Sequence, residues 1–280
     1  MRIVVKIKKI AFGPHQRTSS AHLEEIRASW TQLGAVDPMW AVLTDPVKQG
    51  NLWKSEEFYQ TGILEIDDLF KQLNAMNESV NLGAALDFGC GVGRLTAPLA
   101  THFRRVVGLD IAQTMLDRAK SLVNATNIEW VLNTKSDLQI FSNATFDFVY
   151  SNIVLQHMPV TLSLEYISEF LRVSRPNALI VFQLPEAAPW KWSRRVDVLL
   201  APIVPRVLRP LLQFYRRLKY ARLDPQLVDS FPERLIEMHG ASVARVRHTI
   251  RAFGGTVVHE QETNDAGYGW RGVRYFVRKK

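Results

Sequence analysis

The sequence holds a single cysteine, Cys90, in 280 residues. A lone thiol closes no internal disulfide, so nothing points to an oxidising compartment. No uncharged apolar run approaches the length that spans a bilayer. Met1 to Lys9 alternates Ile and Val with Lys and Arg, without the continuous apolar stretch of a secretory signal. The expected location is therefore the cytoplasm. There is no internal repeat, no low-complexity tract and no carboxylate cluster of the kind that holds catalytic magnesium, so no metal is expected. Acids are nearly missing from one stretch. Between Lys191 and Arg222 nine basic residues face one acid, Asp197, a net of +8 that equals the charge of the whole chain. The remainder is close to neutral, which argues against a nucleic-acid footprint spread over the surface.

What is present reads as a folded α/β protein. Apolar residues make up 47% and charged residues 22%, a globular balance in a chain long enough for one large domain or two small ones. Residues 1–19 read as a weakly ordered basic leader. Residues 20–78 read as a helical cap: a helix after Ser19-Ser20 with Leu23, Ile26 and Trp30 on one face, then a second capped by Ser55 and interrupted at Gly62. From residue 79 onward, short apolar strands alternate with helices, the pattern of a parallel sheet. The strands are Ala84-Leu86, Val106-Leu109, Ile128-Leu132, Phe146-Tyr150 and Leu179-Leu184. Asn177 reads as the turn that ends a helix and opens the fifth strand. An insertion, 189–232, precedes a helix capped by Ser242 and two last strands, Thr256-His259 and Val273-Val277.

The chemistry gathers at the first strand end. Asp87 closes that strand, and Gly89, Gly91 and Gly93 space a turn that lets backbone amides approach a ligand. A dinucleotide turn wants glycine at the first, third and sixth positions, and the sixth from Gly89 is Arg94. The tighter spacing suits a nucleoside without a pyrophosphate. Asp87 can orient an amino group. About twenty residues on, Asp110 ends the second strand, where a carboxylate reads ribose hydroxyls. Met115 can pack on adenine, and Asp137-Leu138 can meet its edge.

Leu86-Asp87-Phe88-Gly89-Cys90-Gly91-Val92-Gly93-Arg94 resembles motif I of class I S-adenosylmethionine-dependent methyltransferases. Val107-Gly108-Leu109-Asp110 with Met115-Leu116 and Ala119 resembles the segment that holds ribose and adenine. Phe146 to Ser151, running into Val154-Leu155-Gln156-His157-Met158-Pro159, is similar to the fourth-strand motif beside the methyl group. The resemblance covers about residues 84 to 184 well and residues 241 to 280 more loosely. Residues 23 to 62 look like the N-terminal cap of some bacterial members. It implies S-adenosylmethionine as cofactor and a seven-stranded Rossmann-like sheet in the order 3-2-1-4-5-7-6, with strand 7 antiparallel. It places Asp87, Gly89, Cys90, Gly91, Gly93, Asp110, Ile111, Met115, Asp137, Leu138 and Ser151 against the cofactor. Tyr59, Asn152, Glu186 and Trp190 fall on the acceptor side.

His157 has two readings: a general base for a hydroxyl acceptor, or a structural histidine that packs the next helix. No Asn/Asp-Pro-Pro-Tyr follows the fourth strand, which argues against amino-methylation of nucleic acid or glutamine. The expected activity is O-methylation of a small molecule, sugar or lipid-linked glycan. The other expectation is an inactive methyltransferase-like scaffold that docks on membrane or RNA through residues 190–222. That basic segment, with Trp190, Trp192, Phe214 and Tyr215 among its cations, reads as a substrate lid or dimer contact, as an interfacial segment on an anionic membrane, or as an RNA platform. The membrane reading would put the protein at the periphery of the inner membrane.

Overall fold

The computed structural model describes residues 19–45, 47–186, 238–266 and 270–280. The basic leader, Trp190 and the whole 190–222 segment lie outside the described residues.

Seven strands form one sheet: β1 Ala84–Phe88, β2 Arg105–Asp110, β3 Ile128–Leu132, β4 Phe146–Ser151, β5 Ser174–Gln183, β6 Gly255–Thr263 and β7 Gly272–Lys279. Their order is 3-2-1-4-5-7-6. β1 to β5 run parallel, and β7 is antiparallel to both its neighbours. β1 and β4 are buried along their whole length because helices cover both faces, so their sequences are mainly apolar, interrupted by Asp87 in β1 and by Asp147 and Ser151 in β4.

One face packs against α6 (Val160–Val173) and the last described helix, α7 (Val243–Ala252), through Ile167, Phe170, Val246 and Ile250. The other packs against α3 (Ser55–Ala75) and α4 (Thr96–His102), where Ile66, Leu69, Leu73, Leu99 and Phe103 meet Phe148 and Phe276. Each such side chain, fully buried, contributes roughly 1.5–3 kcal/mol. A third cluster joins α1 (Ser19–Val36) and α2 (Pro38–Val42) to α5 (Gln113–Leu122). It holds Leu33, Met39, Phe58, Val92 and Met115, and sits over the carboxyl ends of β1 and β2.

The structure differs from the sequence reading in α3 and β5; in α3, Ser55, expected as the cap, is the first helical residue behind the N-cap Lys54. α3 runs through Gly62 without a break, because Gly62 packs against the backbone of Arg94, where a side chain would not fit. β5 begins at Ser174, five residues before the expected Leu179, since Ser174 pairs with Phe146. Asn177, at φ +65°, lies inside β5, where the pairing shifts between Phe146 and Phe148, rather than at a helix end.

Candidate functional site

The parallel strands end on one edge of the sheet, and the strand order reverses between β1 and β4. Ligands of open α/β sheets bind outside such a reversal. The chain leaving β1 turns through Gly89, Gly91 and Gly93 at φ +75°, +54° and +82°, left-handed conformations that favour glycine. The amides of Gly89 and Cys90 both donate to the Leu109 carbonyl, at 2.8 and 3.0 Å, so the turn is stitched to β2. Asp110 completes the stitch. Its Oδ2 accepts from the Gly91 amide and its Oδ1 from the Ala112 amide, each at 2.8 Å. A carboxylate offers about four acceptor sites, so the group keeps capacity for a ligand hydroxyl. Burial raises the Asp110 carboxyl above its ordinary range, against the pull of the Ala112 and Gly91 amides.

Asp87 is fully enclosed, and its Oδ2 accepts from the Thr96 hydroxyl at 2.6 Å. Burial pushes its carboxyl up to about 7; the Thr96 bond and Arg94 work the other way. Burial also pushes the neighbouring Cys90 thiol well up, so it is not a thiolate at neutral pH and serves as wall rather than nucleophile.

Arg94, where a dinucleotide turn would hold glycine, is buried and pairs with Glu65 of α3 at 2.8 Å. Glu65 also accepts from the Tyr150 hydroxyl at 2.7 Å and from Asn152 Nδ2 at 2.8 Å. Arg274 of β7 stands 3.9 Å away. Burial alone would raise the Glu65 carboxyl, yet Arg94 and the Tyr150 hydrogen bond hold it below its ordinary range, an anion inside the protein. Nothing local marks Glu65 in the sequence, since its partners come from three other elements.

Several of these groups, Arg94 among them, line one open-mouthed cavity. Asp87, Gly89, Cys90 and Gly91 line it from the first turn, and Asp110, Ile111 and Met115 from the second. Asn152 and His157 line it from beyond β4. Three further wall features carry no motif. Leu23, Ile26 and Trp30 form an apolar lid face on α1, Asn133 follows β3, and Ile153 holds φ +60°. A β-branched residue at positive φ is a backbone outlier of the kind that collects at functional sites. The ring of Trp30 meets His157 edge-on at 5.4 Å.

The remaining expected residues stand outside that wall. Gly93 belongs to the turn but not to the cavity lining. Ser151 donates to the Phe88 carbonyl at 3.1 Å, tying β4 to β1. Asp137 accepts from the Gln139 amide at 3.1 Å, and the amide of the buried Leu138 donates to Glu169 at 2.8 Å. Tyr59 donates to the Val92 carbonyl at 2.7 Å and so holds the turn from behind. Glu186 pairs with Arg271 at 2.6 Å. Trp190 lies outside the described residues.

The donor set fits a nucleoside that carries an amino group. Asp110 has acceptor capacity left, Met115 and Ile111 offer an apolar slot, and Asn152 Oδ1 is buried with no hydrogen-bond partner among the described residues. Among known proteins, residues 85–177 match the family described as Methyltransferase domain. Over 92 residues the chain is 37% identical to a biotin biosynthesis bifunctional protein from Cellvibrio japonicus, covering 33% of this chain and 18% of that protein. It is 30% identical over 106 residues to a ubiquinone biosynthesis O-methyltransferase from Pseudoalteromonas translucida, covering 37% and 44%. The chain thus spans about half the length, or less, of these curated relatives. The structure of magnesium protoporphyrin IX methyltransferase from Synechocystis superposes with a TM-score of 0.58 at 17% identity, over 92% of this chain and 100% of that one, a likeness of fold. The family match runs from β1 into β5, the segment that builds the site, and the sheet beyond it keeps the order of the fold. Residues 85–177 therefore form a methyltransferase domain, and the fold is that of the class I S-adenosylmethionine-dependent methyltransferases, whose cofactor is S-adenosylmethionine.

Proposed function

We propose that this protein methylates a hydroxyl oxygen on a small molecule, a sugar or a lipid-linked glycan. The observation that carries the reading is the Asp110 carboxylate, which locks the left-handed glycine turn through Gly91 while facing the cavity. Bound S-adenosylmethionine supplies an electrophilic methyl group. Asp110 would hold the ribose, Met115 and Ile111 the adenine, and Asp87 the amino end. α1 covers the cavity with Leu23, Ile26 and Trp30, which excludes water and aligns the acceptor; alignment of this kind is worth on the order of 7–11 kcal/mol. His157 lines the same cavity and is the candidate base for the hydroxyl proton, provided Gln156 releases its Nε2. The name of the ubiquinone biosynthesis relative supports oxygen as the acceptor atom.

Calorimetric titration of S-adenosylmethionine and S-adenosylhomocysteine into wild type and Asp110→Ala tests the cofactor half. We expect binding to wild type and at least a tenfold loss in the variant. A folded wild type that binds neither compound overturns the reading. Once an acceptor is found by screening, His157→Asn is expected to slow turnover by about 10²–10⁴-fold, and an unchanged rate removes His157 as base.

The charge of residues 190–222 supports a further proposal, contact with an anionic membrane that presents the acceptor. Among the described residues no helix is long and apolar enough to cross a membrane. Salt-sensitive sedimentation with anionic vesicles, lost on neutralising Arg216 and Arg217, is the expected result.

A further inference from the structure

Glu65 and Asn152 are 87 residues apart in sequence and share one hydrogen bond inside the protein. A carboxylate only accepts, so the Asn152 end that faces Glu65 is necessarily its NH2 group. The other end of the amide, Oδ1, is buried and has no hydrogen-bond partner among the described residues. Asn152 is 9% exposed and is itself part of the cavity wall. A buried carbonyl oxygen without a donor is uncommon in a folded protein, and in a cavity wall it marks where a ligand hydrogen belongs.

The arrangement is over-determined from the Glu65 side. Glu65 is pinned by Arg94, by Tyr150 and by the closeness of Arg274, so its carboxylate cannot turn to release Asn152 without leaving a buried guanidinium unpaired. β1 and β4 are neighbours, with Asp87 paired to Tyr150, and Asn152, two residues beyond Tyr150, lines the same cavity as Asp87. An acceptor oxygen and a carboxylate in one wall suit an ammonium group, which carries three N–H donors and a positive charge.

We propose that Glu65 is a positioning residue that presets Asn152 Oδ1 as an acceptor for the amino group of a bound nucleoside that carries an amino-acid arm. The inference rests on the methyltransferase reading and assigns a selectivity function within that cavity. It separates ligands that carry the amino-acid end from those that lack it.

The test is calorimetric titration of two compounds, S-adenosylhomocysteine and 5′-methylthioadenosine, which keeps the nucleoside and lacks the amino-acid end. Wild type, Asn152→Leu and Glu65→Gln are compared after thermal melts confirm folding. Asn152→Leu is expected to weaken S-adenosylhomocysteine about tenfold and to leave 5′-methylthioadenosine within about twofold, with Glu65→Gln following in the same direction. Equal losses for both compounds would mean a merely structural role and overturn the inference, as would no loss for either. If Glu65→Gln does not fold, Asn152→Leu alone decides. Failure of wild type to bind both compounds would instead sink the methyltransferase reading.

Discussion

The hydroxyl of Tyr59 on α3 donates to the main-chain carbonyl of Val92, 2.7 Å away, so a helix outside the sheet fixes the middle of the glycine turn. Burial pushes the Tyr59 phenol up to about 12, which keeps the donor protonated through the neutral range. One turn along the same face, a Cβ at Gly62 would come within 2.1 Å of the Arg94 carbonyl oxygen. Tyr59→Phe is expected to cost about 1 kcal/mol by urea unfolding, the worth of one hydrogen bond. Gly62→Ala is expected to cost more, about 1–3 kcal/mol, because backbone must move. Both should weaken S-adenosylhomocysteine, whereas Leu64→Ala, at an exposed position on that helix, should not. Gly62→Ala as stable as wild type would refute the close packing.

These contacts show what a sequence hides. Gly89, Gly91, Gly93, Asp87 and Asp110 were legible because a turn that needs positive φ and an acid at a strand end are local patterns. The sheet order was legible because the strands alternate with helices and the motifs resemble a family. Glu65 was not, since its meaning comes from Arg94, Tyr150 and Asn152, which only the fold brings to it. The start of β5 was hidden for a related reason. Pro176 and Asn177 carry strong turn chemistry, and the pairing of Ser174 with Phe146 overrides it. At the end of β3 the sequence pointed to Asp137, while the cavity wall holds Asn133.

Gly91 and Gly50 make a controlled comparison, since both have positive φ, +54° and +86°. A Cβ at Gly91 would stand 2.8 Å from Val42 Cγ2, and one at Gly50 would meet nothing within 4 Å. Alanine at either position costs about 1–2 kcal/mol of backbone strain. Only Gly91→Ala should also lose cofactor binding, because its amide and its surface form part of the cavity. Equal cofactor affinity in the two variants, measured by calorimetry, would detach the turn from the ligand.

Gln156 accepts from Gln183 Nε2 through its own Oε1 at 3.2 Å, which leaves the Gln156 NH2 group facing His157 Nε2 at 3.3 Å. An NH2 group only donates, so the neutral His157 ring should carry its proton on Nδ1. Nitrogen-15 NMR of the ring, with the signal identified by its loss in His157→Asn, should show that tautomer in wild type. Gln156→Leu should shift it toward a mixture. A protonated Nε2 in neutral wild-type His157 would contradict the arrangement.

The Asp87 carboxyl gives the protein two opposite pH dependences. Folding raises it from the ordinary 3.8 to about 7, chiefly through burial, with Glu65 and Asp110 adding repulsion and Thr96 and Arg94 opposing. The folded chain therefore holds this proton more tightly than the unfolded chain between about pH 4 and about pH 7. Stability from this group is full below that window, falls as pH rises through it, and is level above it; the ceiling of the loss is about 4 kcal/mol. A cationic ligand group beside Asp87 prefers the carboxylate, so ligand affinity moves the other way. It should rise with pH by up to about tenfold per unit below about pH 7 and flatten above. Titrating S-adenosylhomocysteine at about pH 5.5 and about pH 8.5 should show this gain in wild type, together with proton release at the lower pH. Asp87→Asn should abolish both the stability slope and the affinity slope. A wild type whose affinity is flat across that range would mean that Asp87 is already ionised in the free protein, or that no cation settles beside it.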